Sequence, residues 1–199
     1  MEGFWTFLNG RAREAARASP NVEAREVALV VLLRGVNVGG HRTLRPTVLA
    51  KELAHLDVVN VGAAGTFVVR SRISQSDLRA EIARRLPFEA EIMMCSGSAI
   101  LRLESADPFA GHAAGREVVR FVSLMAKRVT PPPALPLDLP REGEWCLRLL
   151  ACHGRFLLGL HRRQMKAIGY LGRLEKRFGV PLTTRSWSTI LAVARILRP

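Results

Sequence analysis

The stretch VALVVLLRGVNVGGHR, residues 27–42, decides how the first half of the chain is interpreted. Its first part is a nearly continuous apolar run rich in β-branched residues, which predicts a strand buried on both faces. Three glycines and an asparagine follow Arg34 and turn the chain. Because Gly and Asn tolerate the positive φ angles of sharp turns, the simplest prediction is a tight exit from a central strand.

The same loop has a second interpretation, as an anion-binding site. The N–H groups of two adjacent glycines precede a predicted helix, and basic side chains flank them, which is a favourable arrangement for an anion. However, the glycine spacing matches neither the GxxxxGK[ST] phosphate loop nor the GxGxxG dinucleotide motif. Both interpretations stay open. The candidate ligand-binding residues of this loop are Arg34, Asn37, Gly39 and Gly40.

Beyond the loop, the apolar spacing alternates between helical and strand periods. Residues 44–56 have the helical period, and residues 57–71 resemble two short strands joined by a glycine turn. A second helix is predicted over 74–86, and a strand over 89–95. The order strand, helix, strand, strand, helix, strand predicts a ferredoxin-like (split βαβ) subdomain over 27–95.

The rest of the chain predicts a smaller and more basic α+β subdomain, residues 96–199, and the whole protein is expected to be α+β. Residues 1–26 are interpreted as an N-terminal extension with a short exposed helix over 10–19. Consecutive prolines predict a loop at 130–140. The other predicted elements are a helix over 97–107, a strand over 116–125, a hairpin over 144–160, and helices over 163–178 and 186–197.

Composition excludes several classes of protein. The chain has 199 residues, 48% of them apolar, which is enough for one compact domain or two small subdomains. It lacks an apolar run long enough to span a membrane, and Glu2 stands where a signal peptide needs a basic residue. We therefore expect a cytoplasmic protein with no membrane partner. The three cysteines lack metal-ligand spacing, so neither a metal nor another cofactor is expected.

Positive charge is concentrated near the C-terminus. The formal net charge is +13, and residues 141–199 contribute +9 of it, with twelve Arg or Lys residues against three Glu. If 162–178 is one helix, several of these cations fall near one face and can follow a nucleic-acid backbone. The alternative is an ordinary solvated face. The nucleic-acid candidates are Arg162, Arg163, Lys166, Arg173 and Arg177.

A second polar motif, TTRSWST at residues 183–189, stands at a predicted helix start. Its hydroxyl residues can simply cap the helix while Trp187 anchors the subdomain. Alternatively, Arg185 and free N–H groups at the helix start form an anion site. Arg185 and Trp187 therefore join the candidate ligand-binding residues.

Two segments carry a resemblance to a known family. LLRGVNVGG at 32–40 and LEKRFGVPLTTRSWSTI at 174–190 resemble motifs of domain of unknown function (DUF) family 1697, a group of uncharacterised bacterial proteins. The resemblance implies a ferredoxin-like first half and a smaller α+β second half, and it implies no activity, substrate or cofactor. The chain departs from the family pattern at 63–69, where AAGTFVV replaces the more polar QSGNVVF, and at 166–169, where KAIG replaces RSKL.

These observations leave two functional hypotheses open. The first is a noncatalytic module that binds an anionic ligand or a nucleic-acid backbone. The alternative is a small enzyme that acts on a phosphorylated or carboxylated metabolite between the subdomains, with His41 as acid or base. An RNA site on the sheet face is disfavoured because Phe67 is the lone aromatic residue on the predicted central strands. Whether the protein is an enzyme, and its oligomeric state, stay open.

Overall fold

The computed structural model describes residues 28–37, 43–112 and 115–198. The predicted helix over 10–19 lies outside the described residues, as do the loop residues Gly39, Gly40 and His41.

The first sheet contains four antiparallel strands in the order β2-β3-β1-β4. Every residue of β1 except Arg34 is buried, which confirms the prediction of a central strand. Val31 pairs with Phe67 on one side and with Met94 on the other. The strands are β1 (Leu29–Arg34), β2 (Val58–Asn60), β3 (Thr66–Val69) and β4 (Glu91–Ser96).

Two helices cover one face of this sheet. They are α1 (Pro46–Glu52), followed by a 3-10 turn at Ala54–Leu56, and α2 (Gln75–Ala83). Pro46 begins α1, where its missing N–H group costs nothing. Within α1, Leu49 makes the apolar contact with the sheet, whereas Val48 is 45% exposed.

The second sheet contains five antiparallel strands in the order β6-β7-β8-β5-β9. Two of its strands are missing from the prediction. One is the three-residue β6, which lies inside the predicted proline-rich loop, and the other is β9, which the prediction left between two helices. The strands are β5 (Val118–Met125), β6 (Leu137–Leu139), β7 (Leu147–His153), β8 (Phe156–Arg162) and β9 (Leu182–Ser186).

Three further helices join and cover the sheets: α3 (Gly97–Ser105), α4 (Met165–Phe178) and α5 (Trp187–Leu197). Helices α3 and α5 share one apolar core with the second face of the first sheet and with one face of the second sheet. Helix α4 packs through Leu174 on the opposite face of the second sheet. Both faces of the first sheet are therefore covered, which leaves no open platform for bases to stack on.

The described residues thus form an α+β structure with two antiparallel sheets and five helices, in agreement with the predicted class.

Candidate anion-binding surface

The turn after β1 is held by its asparagine. Gly35 and Asn37 both have positive φ angles, 68° and 56°, as turn chemistry predicts. The Asn37 side chain donates through Nδ2 to the carbonyl of Ala63 at 2.7 Å, and its Oδ1 accepts from the N–H of Leu44 at 2.8 Å. Asn37 therefore ties the turn to the β2–β3 hairpin and to the start of α1, and both ends of its amide are occupied.

Arg34, at the end of β1, is paired with two carboxylates. Its Nε donates to Glu175 of α4 at 2.6 Å, its Nη2 contacts the same carboxylate, and its Nη1 lies 3.1 Å from Glu91. Burial opposes ionisation of Glu175, yet hydrogen bonds from Arg34 and from the Leu182 N–H outweigh it and hold the pKa of this carboxyl below its usual value. The Arg34 guanidinium is therefore engaged within the protein.

Arg185, on β9, is buried, and its guanidinium points toward the first sheet. All five of its N–H groups have acceptors between 2.7 and 2.9 Å, and each acceptor is neutral. Burial lowers the pKa of Arg185 to about 10, so the group stays charged at neutral pH. The acceptors are the hydroxyls of Thr66 and Thr183 and the carbonyls of Leu33, Ala64 and Thr184.

The structure brings Arg34 and Arg185 to the same region, where the end of β1 meets β9. All five N–H groups of Arg185 are occupied by hydroxyls and carbonyls, and the charge of Arg34 is compensated by two carboxylates, to which three of its N–H groups donate. Thr66 stands where the resembled family motif has Asn, and its hydroxyl retains a polar partner for Arg185 at that position. In this structure Arg185 joins the two sheets, and Arg34 joins the first sheet to α4.

Two residues of the TTRSWST motif have structural roles, one as a helix cap and the other as a buried anchor. Ser186 caps α5, since its Oγ accepts from the N–H of Thr189 at 3.3 Å. Trp187 is buried, with its ring edge-on to Phe109 at a centroid distance of 5.1 Å. Arg185 faces away from this helix start, toward the first sheet.

Other basic side chains flank the start of α5. A cleft of about 530 Å³ lies beside Ser186 and Ser188, and its basic lining comes from Arg120, His161 and Arg163. Arg120 and His161 are missing from the sequence-based candidates. The pairing of β5 with β8 places both residues at this end of the sheet, with Val119 opposite His161 and Arg120 opposite Leu160, so their side chains leave the sheet on opposite faces. That pairing is a long-range contact, and the spacing of residues along the chain carries no signal for it.

The nucleic-acid candidates divide between two elements. Helix α4 begins at Met165, so Arg162 lies at the end of β8 and not on the helix face predicted for it. There its Nη2 pairs with Glu144 at 2.6 Å and its guanidinium stacks on the ring of Trp145. Arg163, just before the helix, and Lys166, Arg173 and Arg177 on it are all exposed, as is the neighbouring Lys176.

The single carboxylate between residues 163 and 198 is that of Glu175. It is turned inward, to Arg34 and to the N–H group of Leu182. The exposed cations of α4 and Arg163 consequently form no ion pair with any carboxylate in the described part of the chain. We call this set of residues, Arg163, Lys166, Arg173, Lys176 and Arg177, the α4 basic face.

Two further observations concern cofactors and membranes. Within residues 28–37, 43–112 and 115–198, no three His, Cys, Asp or Glu side chains are placed to share a metal ion. Among the helices described, none has both the length and the apolar composition needed to cross a bilayer.

Comparison with known proteins now places the chain. The model of a family described as "Protein of unknown function (DUF1697)" matches residues 27–144, more than half of the chain. The chain belongs to the DUF1697 family. The matched range includes the loop motif at 32–40, whereas the second resembling segment, 174–190, lies beyond it.

Two other comparisons add little about function. No curated protein matches this DUF1697 chain significantly. The solved structure of conserved bacterial protein SP0830 from Streptococcus pneumoniae is similar to it, with 18% sequence identity and a TM-score of 0.49. That similarity covers 86% of this chain and 98% of the other.

Proposed function

We propose that the protein is a cytoplasmic, noncatalytic module that binds the phosphate backbone of nucleic acid through the α4 basic face. Sequence-independent binding of this kind rests on several cations that together replace the counterions of the phosphates. It requires neither a deep pocket nor an aromatic platform.

The observation that carries the proposal is the position of Glu175. Because Arg34 holds the one carboxylate of this region at the inner side of α4, the outer side retains its positive charge. A solvated surface usually mixes both signs of charge, whereas this face presents one sign alone among the described residues. An uncompensated cluster attracts polyanions at distances of several ångströms and loses that attraction as salt is added.

The spacing of the cations supports a linear polyanion. Lys166 and Arg173 are seven residues apart, two helical turns, and Arg177 lies one turn farther. The row from Lys166 to Arg177 therefore extends for about 16 Å at 1.5 Å per residue. A duplex carries one phosphate charge per about 1.7 Å of axis, so a row of this length spans several phosphates.

The test is fluorescence anisotropy of the full chain with a generic DNA duplex and a generic RNA, titrated over a range of salt concentrations. We expect binding at low salt and a linear decrease of log K with log salt concentration. In the triple variant Lys166→Glu, Arg173→Glu, Arg177→Glu, affinity should fall at least tenfold and the slope should decrease in magnitude by about 2 to 3.

A matched control separates the α4 basic face from net charge alone. The triple variant Lys51→Glu, Arg72→Glu, Arg141→Glu makes the same charge change at exposed positions on other elements. It should bind almost as the unmodified protein does. Equal loss in the two triple variants would refute the α4 site, and absence of binding at low salt would refute the nucleic-acid function.

The proposal includes an assignment of subdomains. The strand order β2-β3-β1-β4, with α1 and α2 on one face, supports a ferredoxin-like (split βαβ) subdomain over 27–95. A basic α+β subdomain over 96–199 would then hold the α4 basic face. The enzyme alternative requires His41, which lies outside the described residues, so that hypothesis stays a prediction.

A further inference from the structure

A second basic cleft lies away from α4, where α3 faces the turn between β7 and β8. Its volume is about 490 Å³. The end of β4, helix α3 and the β7–β8 turn supply most of its lining, and no lining residue is Asp or Glu. The residues that matter here are Ser96, Ala99, Arg102, His153, Arg155 and Phe156.

Arg155 gives this cleft a fixed positive charge. Its Nη2 donates to the carbonyl of Met94, and its Nη1 donates to the carbonyl of Ala126 at 3.2 Å. These acceptors are neutral, and Arg155 forms no ion pair with a carboxylate among the described residues. The guanidinium is therefore immobilised at the wall by backbone contacts while its charge stays uncompensated.

Two more cationic or ionisable side chains stand at the rim. Arg102, on the outer side of α3, and His153, at the end of β7, are exposed and line the same cleft. Neither makes an ion pair with a described carboxylate. An anionic group that enters the cleft would meet a fixed guanidinium inside and two movable groups that can close on it.

The rest of the wall combines the polar residues Gln75 and Ser96 with an apolar part. Leu103 and Phe156 are buried and line the cleft beside Ala99. Cys95 also lines it, but burial raises the pKa of its thiol to about 12, so the thiol is not a nucleophile at neutral pH. Small-molecule sites typically combine such apolar walls with a few converging polar groups.

We propose that this cleft binds a small molecule that carries a phosphate or carboxylate group on a compact apolar body. The oxyanion contacts Arg155, Arg102 and His153, and the apolar body packs against Leu103 and Phe156. The site contains no residue of α4, so it stands whether or not the α4 basic face binds nucleic acid.

The test uses the melting temperature of the full chain with phenyl phosphate, benzoate and inorganic phosphate at about 10 mM each. A ligand that binds only the folded state raises the melting temperature. We expect a rise of about 2 °C or more with phenyl phosphate or benzoate, and a smaller one with inorganic phosphate. The aromatic ligand that gives the larger rise identifies the preferred oxyanion.

The variant Arg102→Glu, His153→Glu should abolish the rise, and Arg195→Glu, an exposed change on α5, should preserve it. Arg155 is left unchanged because it also connects β4 with the chain after β5. A rise that survives in the double variant, or no rise with any of the three ligands, would refute the site.

Amide chemical-shift mapping gives a readout that does not depend on variants. Phenyl phosphate should perturb amides of Ser96–Leu103 and His153–Phe156. Perturbations centred on α4 would show that the anion binds only at the α4 basic face. That result would overturn this proposal and leave the nucleic-acid proposal intact.

Discussion

Arg185 and Thr66 lie on different sheets, and Nε of the arginine donates a 2.7 Å hydrogen bond to Oγ1 of the threonine. Thr66 is fully buried. Hydrogen bonds to a charged group contribute more to stability than hydrogen bonds between neutral groups. Breaking one in the protein interior leaves buried polar atoms with neither a protein partner nor water to bond to. This contact is therefore part of what holds the sheets together.

Replacing Thr66 by Val, a residue of the same shape, should lower the free energy of unfolding by about 2 kcal/mol. Arg185→Met should lower it by about 3 kcal/mol or more, because it also leaves the Leu33 and Ala64 carbonyls without their donor. Urea unfolding of both single variants and of the double variant measures the coupling. If the two losses were simply additive, the contact would carry no energy of its own.

The ion pair between Glu175 and Arg34 should make stability depend on pH. A carboxylate whose pKa is lowered by folding stabilises the folded state above its unfolded pKa, and this contribution is lost as pH falls through the folded value. Glu175→Gln should cost about 1 kcal/mol at pH 7, since both side chains are partly exposed and solvent screens them. The difference from the unmodified protein should shrink below about pH 5 and vanish in more acidic solution. A constant difference from pH 7 to pH 3 in urea unfolding would contradict this.

The three cysteines should differ in reactivity. Cys95 and Cys146 are buried, whereas Cys152 is partly exposed. Burial raises the pKa of Cys95 to about 12 and also raises the pKa of Cys152, so modification of these two thiols should be slow near pH 8. With a thiol-reactive disulfide reagent, we expect Cys152 to react first and the other two to react only as the protein unfolds. Rapid labelling of Cys95, located by mass spectrometry, would contradict the structure around α3.

Two glycines give opposite predictions for the same change to alanine. At Gly159 in β8, an added Cβ would lie 2.5 Å from the carbonyl oxygen of Arg148 and 2.6 Å from the ring of Phe121. Gly159→Ala should therefore destabilise the protein by about 2 kcal/mol. At Gly172 in α4 nothing lies within 4 Å, so Gly172→Ala should stabilise it by about 0.5 to 1 kcal/mol. Thermal unfolding of the two variants shows whether each change lowers or raises the stability of the protein.

The sequence predicts elements well where local periodicity and burial agree. Strand β1 is an example, because its apolar run is long and both of its faces are covered. The prediction misses β9 because Leu182–Ser186 is mostly polar, and its strand conformation depends on pairing with β5. Strand β6 is missed because prolines border it and it pairs on one side only, at the sheet edge, where proline is tolerated.

In the candidate site, too, local sequence predicts some features, and long-range contacts determine the others. The exposed cations of α4 follow from composition and helical spacing, so the sequence predicts them. The inward turn of Glu175 and the occupied donors of Arg185 depend on contacts more than one hundred residues apart along the chain. The cleft at Arg155 also depends on contacts between distant residues, since its hydrogen bonds to Met94 and Ala126 span 61 and 29 residues along the chain. Side-chain direction on a strand that the prediction misses cannot be deduced from residue type.

The packing of α5 against the first sheet also constrains the order of folding during synthesis. The face of that sheet that contains Val30 and Leu32 is completed by Ile190 and Val193, which leave the ribosome long after β4 does. A nascent chain that has formed β1 to β4 and their two covering helices still presents an open apolar face. Throughout that interval, this face is where a chaperone would be expected to hold the growing protein.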